Sequence, residues 1–465
     1  MKINIASNEV IHFIGIGGIG MSGLAQIMCN MGFNIQGSDL NKNKNTDRLI
    51  EKGIKVYFEH HPKNLKKTTM VVISSAIKNT NEELIAAKNK KLPIFKRGEM
   101  LANIVALKKN IVVTGSHGKT TTTSLVANIL AEAGLDPTVI NGGVINSLKN
   151  NARLGKGEWA VIESDESDGS FLKLPITYSI VTNLDKEHLD FYGNFRKLKK
   201  SFCSFIEKTP SFGKSLICLD NKNLKSLLPE CKTRNFLTYG FDKNSNYRIL
   251  NVRKKKNYSI FDLKIKFPNN RINTVNNITV NLIGDHNISN ATASIAIALN
   301  IGIKINKIKK ALKKFLGIQR RFTKVFSVKK REFYDDYAHH PTEIKAVINS
   351  ARQVYKNRKI ICVFQPHRYS RVKALKNEFA LSFRSSDAVV LCPVYAAGEK
   401  IKYKFNQDNF SELISKKSQT QVINIKNQQD LEKYLKKNLI DDELIICMGA
   451  GSISNWIREI GDKIK

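Results

Sequence analysis

No two of the seven cysteines stand at the C-x-x-C spacing, and their number is odd. Both features favour free thiols in a reducing cytosol over the disulfide framework of a secreted protein. The chain also lacks an apolar run of the ~18–20 residues that a membrane-spanning helix needs. Residues 10–29 are apolar enough to imitate a signal peptide, but they contain five glycines and no small-residue cleavage pattern follows them. We therefore expect a cytoplasmic protein without membrane insertion.

Acidic residues are scarce, with 40 Asp and Glu against 76 Lys and Arg, for a formal net charge of +36. Nucleic-acid binding is one explanation of such an excess. The lysines, however, are scattered through every segment as short pairs, and there is no long basic tail. This pattern favours a coding bias, so the sequence predicts anionic small substrates and no nucleic-acid partner.

Repeats and low-complexity linkers are absent as well, although 465 residues exceed the roughly 250–300 at which a single core stops growing. Strand-like and helix-like runs alternate in three blocks, which predicts α/β domains at 1–107, 108–319 and 320–465, the second with a β-rich insertion near 210–280. The main predicted strands are 10–14, 71–76, 110–115, 159–162 and 179–183, and the main predicted helices are 21–31, 81–90 and 341–355.

A glycine-rich turn follows the first predicted strand, where Gly15-Ile-Gly17-Gly18-Ile-Gly20 fits the G-x-G-x-x-G pattern. Such glycines let the chain turn tightly and bring helix amides against a pyrophosphate. Asp39 stands about twenty residues further on, where a ribose-binding acid belongs. Three interpretations stay open: an NAD site, a nucleotide-diphosphate-sugar site, and a turn that only packs the helix on the strand.

A second loop, TGSHGKTTT, is similar to a phosphate-binding loop but shorter than G-x-x-x-x-G-K-[ST], because Val113 stands where the first glycine belongs. The available glycines are Gly115 and Gly118. Lys119 and Thr120 then open a helix, so the loop offers amides for phosphate oxygens, a lysine for β/γ-phosphate charge and a hydroxyl for Mg²⁺. We interpret it as a variant nucleotide loop.

Polar runs follow several later strands. The acidic run at 163–168 is where a magnesium ligand is expected after a phosphate loop, and the polar run at 183–190, after the next strand, is expected to face the same site; a solvated acidic turn and a paired histidine are the alternatives. In GDHNISN, Asn287 and Asn290 lie one helical turn apart, where they read a base or cap the helix. Basic residues in YDDYAHHP and QPHRYSR stand at strand carboxyl ends and suit carboxylates and phosphates. The turn MGAGS is interpreted as structural.

Together these stretches resemble the Mur ligases, and most closely the members that join L-alanine to UDP-N-acetylmuramate. The resemblance covers essentially the whole chain and rests on GIGGIGMSG, TGSHGKTTT, ESDESDGSF, EHLD, GDHNISN, RRF, YDDYAHHPTE, FQPHRYSR and VYAAGE, in the expected order. It implies an α/β fold of three domains: an N-terminal Rossmann-like domain for the UDP-sugar, a central P-loop ATPase-type domain with a mixed sheet, and a C-terminal Rossmann-like domain.

The resemblance also implies a reaction of peptidoglycan precursor synthesis, with ATP and Mg²⁺ as cofactors. ATP phosphorylates the muramoyl carboxylate, the amine of L-alanine attacks the acyl phosphate, and an amide, ADP and phosphate result. The chemistry agrees, because the leaving group of an unactivated carboxylate would be oxide. A monomer or a weak homodimer is expected.

Site residues follow from the resemblance by position. Catalytic roles fall to Lys119, Glu163 and His188. Metal binding falls to Thr120, Glu163 and His188, and Glu166 is the alternative to Glu163 if the alignment shifts within the acidic run. ATP binding falls to Gly115, Ser116, His117, Gly118, Lys119, Thr120, Thr121, Asn287, Asn290, Arg321 and Asp336. Substrate binding falls to Gly15, Gly17, Gly18, Asp39, Ser74, His339, His340, His367, Arg368 and Arg371. Two positions depart from the family: Ser116 stands where threonine is usual, and Glu187 stands where aspartate commonly precedes the histidine.

Two other functions stay open. A murein-peptide ligase would attach a recycled tripeptide to the same UDP-sugar, although GIGGIGMSG is more similar to the turn of the L-alanine-adding members. An NAD-dependent oxidoreductase would use the first glycine turn but leaves TGSHGKTTT without a purpose.

Overall fold

The computed structural model describes residues 9–106, 108–146, 150–399, 405–437 and 442–464, apart from the side chain of Asp190. These residues form three mainly parallel sheets with helices, which confirms the predicted α/β class. Two compact units contain them. The first holds the described residues of Met1–Val252, Phe261–Val280 and Ser289–Leu316, and the second those of Arg253–Ile260, Asn281–Ile288 and Gly317–Lys465. The domain borders after 107 and 319 stay a prediction.

The first sheet lies in the first unit and has five parallel strands in the order β3-β2-β1-β4-β5. Its elements are β1 (Val10–Ile14), α1 (Ile19–Asn30), β2 (Asn34–Ser38), α2 (Lys44–Glu51), β3 (Lys55–Tyr57), β4 (Met70–Ile73), α3 (Glu82–Asn89), β5 (Ile94–Lys96) and α4 (Arg97–Val105). The chain runs outward from β1 to β3 and then returns to β4 on the other side of β1. In open α/β sheets, ligands bind outside the strand carboxyl ends at such a reversal, here between β1 and β4.

The second sheet has ten strands in the order β15-β14-β13-β12-β11-β10-β6-β9-β7-β8. Its strands are β6 (Lys109–Thr114), β7 (Thr138–Ile145), β8 (Asn150–Arg153), β9 (Trp159–Glu163), β10 (Tyr178–Val181), β11 (Ser215–Cys218), β12 (Phe236–Gly240), β13 (Tyr247–Lys254), β14 (Ser259–Lys266) and β15 (Ile272–Val280). Its helices are α5 (Lys119–Glu132), α6 (Leu189–Tyr192), α7 (Phe195–Glu207), α8 (Lys222–Leu227), α9 (Asp285–Asn300) and α10 (Ile305–Lys313). The strand before the phosphate loop, β6, is parallel to its neighbours β9 and β10, so all three present their carboxyl ends at one edge.

The third sheet lies in the second unit, in the order β16-β17-β21-β18-β19-β20, with only the β16–β17 pair antiparallel among the described strand pairs. Its strands are β16 (Thr323–Val328), β17 (Arg331–Asp336), β18 (Lys359–Phe364), β19 (Ala388–Leu391), β20 (Gln421–Asn424) and β21 (Glu443–Met448). Its helices are α11 (Pro341–Val354), α12 (Tyr369–Ala374), α13 (Lys376–Ala380), α14 (Gln407–Ser418), α15 (Gln428–Lys437) and α16 (Ile453–Ile464). Every residue of β21 is buried, as expected for a parallel strand covered on both faces.

The first sheet shares one compact unit with most of the second sheet, and within that unit α1 packs against β7 and β8. Gly23 allows the close approach, since a Cβ there would lie 3.0 Å from the Cβ of Ala152. Asn150 Nδ2 donates to Gln26 Oε1 at 2.6 Å, and Asn151 Nδ2 donates to the carbonyl of Ile19 at 2.7 Å. The helix that follows the glycine turn is therefore fixed to the central domain.

The expectation of free thiols is wrong for Cys203 and Cys231, which form a disulfide, whereas the other five cysteines are free. Cys203 lies in α7 and Cys231 follows α8, and packing of these elements brings their Cα atoms to 5.3 Å. A separation of 28 residues carries no spacing signal, so only the tertiary fold reveals the pair. None of the described helices has the length and apolarity that a membrane crossing requires.

A carboxylate with no solvent exposure lies inside the first domain, at Glu83 near the start of α3. Its Oε1 lies 3.3 Å from His12 Nε2 and accepts from Asn64 Nδ2 at 2.8 Å. Its Oε2 lies 3.1 Å from His60 Nδ1 and accepts from Ser38 Oγ at 2.5 Å. Burial alone would raise the pKa of Glu83, but His12 and the hydrogen bonds outweigh it and lower that pKa to about 2. An ionised Glu83 thus ties α3 to β1 and β2.

We expect Glu83→Gln to lower the free energy of unfolding of this domain by about 1–3 kcal/mol at pH 7, because the amide loses charge-assisted hydrogen bonds. The native pKa of Glu83 lies below the unfolded value of 4.5, so the stabilisation is lost as the pH falls through that interval toward about 2. The two proteins should therefore converge in acid. Hydrogen exchange of the β1 amides in urea, at pH 7 and about pH 3, measures this; a difference that does not change with pH would contradict the assignment.

Candidate active site

The glycine turn after β1 lies at the strand-order reversal of the first sheet. A Cβ on Gly15 would lie 3.0 Å from the Cβ of Ser74, which directly follows β4. The Gly17 amide donates to Asp39 Oδ2 at 2.9 Å. Gly18 precedes α1, whose first turn has neither a side-chain cap nor an acidic residue. The structure thus brings the five predicted residues of this turn together, and the Asp39 carboxylate is already bonded to the turn itself.

The phosphate loop after β6 needs glycine at two positions. Gly115 has a φ of +132° and Gly118 a φ of +81°. A Cβ on Gly115 would collide with the Thr182 hydroxyl, and one on Gly118 would lie 2.8 Å from Asn290 Oδ1. The helix α5 begins immediately afterwards, at Lys119. The shortened loop therefore makes its turn between these two glycines.

The segment after β10 holds this loop in place. The Asn183 side chain bonds both backbone polar groups of His117, because its Oδ1 accepts from His117 N at 2.7 Å and its Nδ2 donates to His117 O at 2.9 Å. Thr182 Oγ1 donates to the same carbonyl at 2.6 Å. The His117 imidazole lies 2.9 Å from Asp185 Oδ2, and the Asp185 amide donates to Ser116 Oγ at 2.8 Å. The two loop residues between the glycines are thus fixed through both backbone and side chain.

Lys119 carries the positive charge of the loop. Its Nζ donates to Gly115 O at 2.6 Å and pairs with Glu166 Oε2 at 2.8 Å, and the Glu166 side chain is 1% exposed. Burial disfavours the Lys119 charge, but the carboxylates of Glu166, Asp165 and Glu163 outweigh burial and raise the pKa of Lys119. Lys119 is therefore protonated throughout the neutral pH range.

Thr120 and Glu163 form an oxygen pair beside this lysine. Glu163, the last residue of β9, accepts from Thr120 Oγ1 at 3.0 Å through Oε1 and from the Gly142 amide at 2.6 Å through Oε2. A hydroxyl and a carboxylate at a phosphate loop are the ligands that Mg²⁺ takes together with nucleotide phosphates. Two of the three predicted metal ligands are therefore neighbours.

The third predicted metal ligand, His188, belongs to a separate group. The ligand atoms of His188, Asp165 and Glu166 all lie within 4.8 Å of one another. His188 Nε2 is 3.7 Å from Glu166 Oε1, a buried atom that has no hydrogen-bond partner among the described residues. An imidazole and two carboxylates suit a divalent cation. The structure thus pairs Glu163 with Thr120 and groups Glu166 with His188.

The remaining ATP-binding predictions of the central domain lie on two helices. Thr121 is buried in the first turn of α5. Asn290 in α9 is 6% exposed and lies against Gly118. Asn287 lies in the first turn of α9, within the second compact unit, and its Nδ2 donates to the carbonyl of Ile283 at 2.8 Å.

In the second unit, Asp336 at the end of β17 is 4% exposed. Its Oδ2 accepts from Phe322 N at 2.7 Å and its Oδ1 from Ala338 N at 2.8 Å. Burial raises the pKa of Asp336 to about 6, against the opposing charge of Arg321. Arg321 stands between Arg320 and Phe322, which both have positive φ, at 58° and 46°. Backbone strain of this kind is typical of functional positions. The turn that contains it places the Arg321 charge close enough to act on Asp336.

Five predicted substrate residues lie at the carboxyl edge of the third sheet. His339 and His340 follow β17, and His367 and Arg368 lie between β18 and α12, which contains Arg371. The ring centroids of His339 and His367 are 5.8 Å apart, and Arg371 Nη1 lies 3.4 Å from His367 Nδ1. Burial, aided by these positive neighbours, lowers the pKa of His367 to about 4. The side chain of His340 caps the start of α11. The edge therefore combines arginine cations with a neutral imidazole.

Sequence reasoning missed the residues that act on the predicted ones. The predicted site residues omit Thr182, Asn183, Asp185 and Gly142, which hold the phosphate loop or Glu163 by the contacts above. Asn183 and Asp185 belong to the polar run singled out in the sequence, but the sequence assigns them no role. Thr182, Asn183 and Asp185 directly follow β10, a strand parallel to β6, and their place at that strand end was the available signal.

Comparisons with known proteins agree over the whole length. Three family models match in series: "Mur ligase family, catalytic domain" over 10–109, "Mur ligase middle domain" over 113–298 and "Mur ligase, glutamate ligase domain" over 320–451. The UDP-N-acetylmuramate--L-alanine ligase of Pelagibacter ubique is 56% identical over 464 residues, which is 100% of both chains. The crystal structure of a UDP-N-acetylmuramate-alanine ligase from Thermotoga maritima is similar with a TM-score of 0.82 and 27% identity, over 97% of this chain and 98% of that one. A murein peptide ligase from Psychrobacter arcticus shares the fold, with a TM-score of 0.72 and 22% identity over 98% of each chain.

Proposed function

We propose a function for this chain from one premise, which is that it belongs to the Mur ligase family. It is an ATP-dependent ligase that joins L-alanine to the carboxylate of UDP-N-acetylmuramate, and it acts in peptidoglycan precursor synthesis in the cytoplasm. The observation that carries the proposal is the 56% identity, over the full length of both chains, to a ligase with those two substrates in its name.

The reaction has to turn a carboxylate into an acyl donor. A carboxylate oxygen bonds to the γ-phosphorus of ATP, the bond from that phosphorus to the β,γ-bridging oxygen breaks, and ADP leaves. The amine nitrogen of L-alanine then bonds to the acyl carbon, the carbon–oxygen bond to phosphate breaks, and a proton leaves the nitrogen. Phosphate replaces oxide as the leaving group, which makes amide formation accessible.

The first step brings two anions together, so charge stabilisation is the main contribution required of the protein. Lys119 supplies a permanent positive charge at the phosphate loop. The oxygen pair of Thr120 and Glu163 is suited to Mg²⁺, and the group of Glu166 and His188 provides a second set of cation ligands. A bound Mg²⁺ would add positive charge against the phosphate oxygens.

The other groups position the reactants. The glycine turn with Asp39 and Ser74 binds the UDP-sugar, and the cluster of His339, His340, His367, Arg368 and Arg371 binds the muramoyl carboxylate and L-alanine. Arg321 and Asp336 serve the phosphate and the ribose of ATP, and Asn287 and Asn290 the adenine side. Positioning matters for such a reaction, since effective molarities of ~10⁵–10⁸ M measure what correct alignment contributes.

We expect phosphate release from the purified protein only when ATP, UDP-N-acetylmuramate and L-alanine are all present. Chelation of divalent cations by EDTA should remove this activity and added Mg²⁺ should restore it, because the ligand oxygens then regain their cation. A coupled phosphate assay measures both effects.

The same assay decides between the alternatives. Activity with a tripeptide in place of L-alanine, and none with L-alanine, would replace the proposal with a murein-peptide ligase. The same phosphate assay, run with glycine or L-serine in place of L-alanine, measures the preference among these amino acids.

A further inference from the structure

Arg97 is a cation that lies against the helix of the glycine turn. It opens α4, and a Cβ on Gly20 in the first turn of α1 would lie 3.0 Å from Arg97 Nη1 and 3.3 Å from its Cδ. The guanidinium therefore packs directly on that turn. Among the described residues, its side chain has no hydrogen bond and no ion pair. A guanidinium of partial exposure that makes no such contact is available for a ligand.

The backbone beside Arg97 also offers N–H groups that can donate to a ligand. The amides of Ile19, Gly20 and Met21 donate to none of the described residues, and no side chain caps α1. Amides at a helix N-terminus carry partial positive charge and point outward along the axis. The Arg97 guanidinium lies against Gly20, in the same helical turn as these amides. The full positive charge of Arg97 and the partial positive charges of the amides are therefore neighbours.

Arg97 lies between two parts of the site. On one side is the glycine turn, and on the other its charge interacts with the Asp165 carboxylate in the acidic run after β9. A substrate with a diphosphate at the glycine turn would therefore meet Arg97 at its phosphates. Its carboxylate would have to lie further on, near Lys119, where ATP is to be attacked.

We propose that Arg97 binds the diphosphate of the nucleotide-sugar substrate, together with the free amides of the first turn of α1. This inference rests on the proposed function, because it takes a UDP-sugar to be the molecule at the glycine turn. A guanidinium is planar and offers paired N–H donors that match two phosphate oxygens, which a single ammonium group does not. Arg97 is thus a substrate-binding residue outside the glycine motif.

The competing explanation is a purely structural role at the junction of the first two domains. The helix α4 packs on residues 170–173, where a Cβ on Gly98 would collide with Ser170. Lys173 Nζ pairs with Glu99 Oε1 at 2.6 Å across the same junction. Lys173→Met therefore removes a charged contact from the same helix without touching the glycine turn, and it is the matched control.

Calorimetric titration separates these roles. We expect Arg97→Met to weaken binding of UDP-N-acetylmuramate and of UDP-N-acetylglucosamine, which lacks the carboxylate, by about 10- to 100-fold each, as for a lost charged hydrogen-bond pair. Arg97→Lys should be intermediate, because it keeps the charge but loses the paired geometry. ATP binding by both variants, and UDP-sugar binding by Lys173→Met, should match the wild type.

Each other outcome of these titrations overturns the inference. A loss with UDP-N-acetylmuramate alone would assign Arg97 to the carboxylate instead of the diphosphate. Unchanged binding of both sugars, or an equal loss in Lys173→Met, would leave Arg97 with a structural role. If wild-type protein bound UDP-sugars but released no phosphate with L-alanine, the proposed function would fail while the role of Arg97 would still be measurable.

Discussion

Lys119→Met is expected to lower kcat for ATP-dependent phosphate release by roughly 10³-fold or more. Loss of one neutral donor from a site that stabilises developing charge costs about 10²–10³ in kcat, and Lys119 contributes a full charge in a largely water-excluded position. The wild-type charge is secure, because three carboxylates raise the pKa of Lys119. Steady-state assays with all three substrates at saturation measure the effect, and retained activity would show that this loop does not serve ATP.

Stability must be separated from catalysis in that variant. Lys119 neutralises Glu166, which is 1% exposed, and a buried charge that loses its partner costs about 3–5 kcal/mol. Lys119→Met should therefore unfold at a lower urea concentration than the wild type. The double variant Lys119→Met/Glu166→Gln removes both charges, so it should recover stability and remain inactive. Recovered activity in the double variant would mean that Lys119 acts only through the fold.

The strands of this protein are predictable because their residues are continuously apolar and glycine or polar residues bound them. The strand predicted at 10–14 is confirmed as β1, and 159–162 lies within β9. The two strands predicted too long are informative. β4 ends at Ile73, because Ser74 leaves the sheet and lies against Gly15. β10 ends at Val181, because the next two residues turn to hold the phosphate loop. Both departures occur at the candidate site.

The pairing within the acidic run is not predictable from the sequence. Inside a strand, alternation decides which face a side chain takes. β9 ends at Glu163, so that rule does not apply to Asp165 and Glu166. Their directions follow from the turn that comes next, and the structure gives Glu163 to Thr120 and Glu166 to Lys119. The sequence supports a metal site in this run but does not say which carboxylate belongs to which partner.

Long-range contacts are the other feature that the sequence hides. The Asn183 side chain brackets His117 from 66 positions away, and only the parallel pairing of β10 with β6 brings them together. The sequence likewise predicts that His340 binds substrate as one of two adjacent histidines, whereas the structure shows that its side chain also caps α11. Residue type and local spacing identify candidates, but the side chains that hold them depend on which strands are neighbours.

Glu163→Gln is expected to lower kcat by roughly 100-fold and to raise the Mg²⁺ concentration needed for half-maximal activity. The substitution keeps the local structure, because the amide oxygen can still accept from the Gly142 amide while the NH₂ group donates to the Thr120 hydroxyl. What is lost is the negative charge that would hold the cation. Charge stabilisation by a bound metal contributes several kcal/mol, and each 1.4 kcal/mol is a factor of ten in rate.

Two further variants help to test which carboxylate binds the essential Mg²⁺. Thr120→Ser keeps the hydroxyl and should behave like the wild type in a Mg²⁺ titration. Glu166→Gln tests the other carboxylate, whose Oε1 faces His188 at 3.7 Å. If Glu163→Gln kept the wild-type Mg²⁺ dependence while Glu166→Gln lost it, the essential cation would belong to Asp165, Glu166 and His188. If both shifted it, both carboxylates would contribute to cation binding.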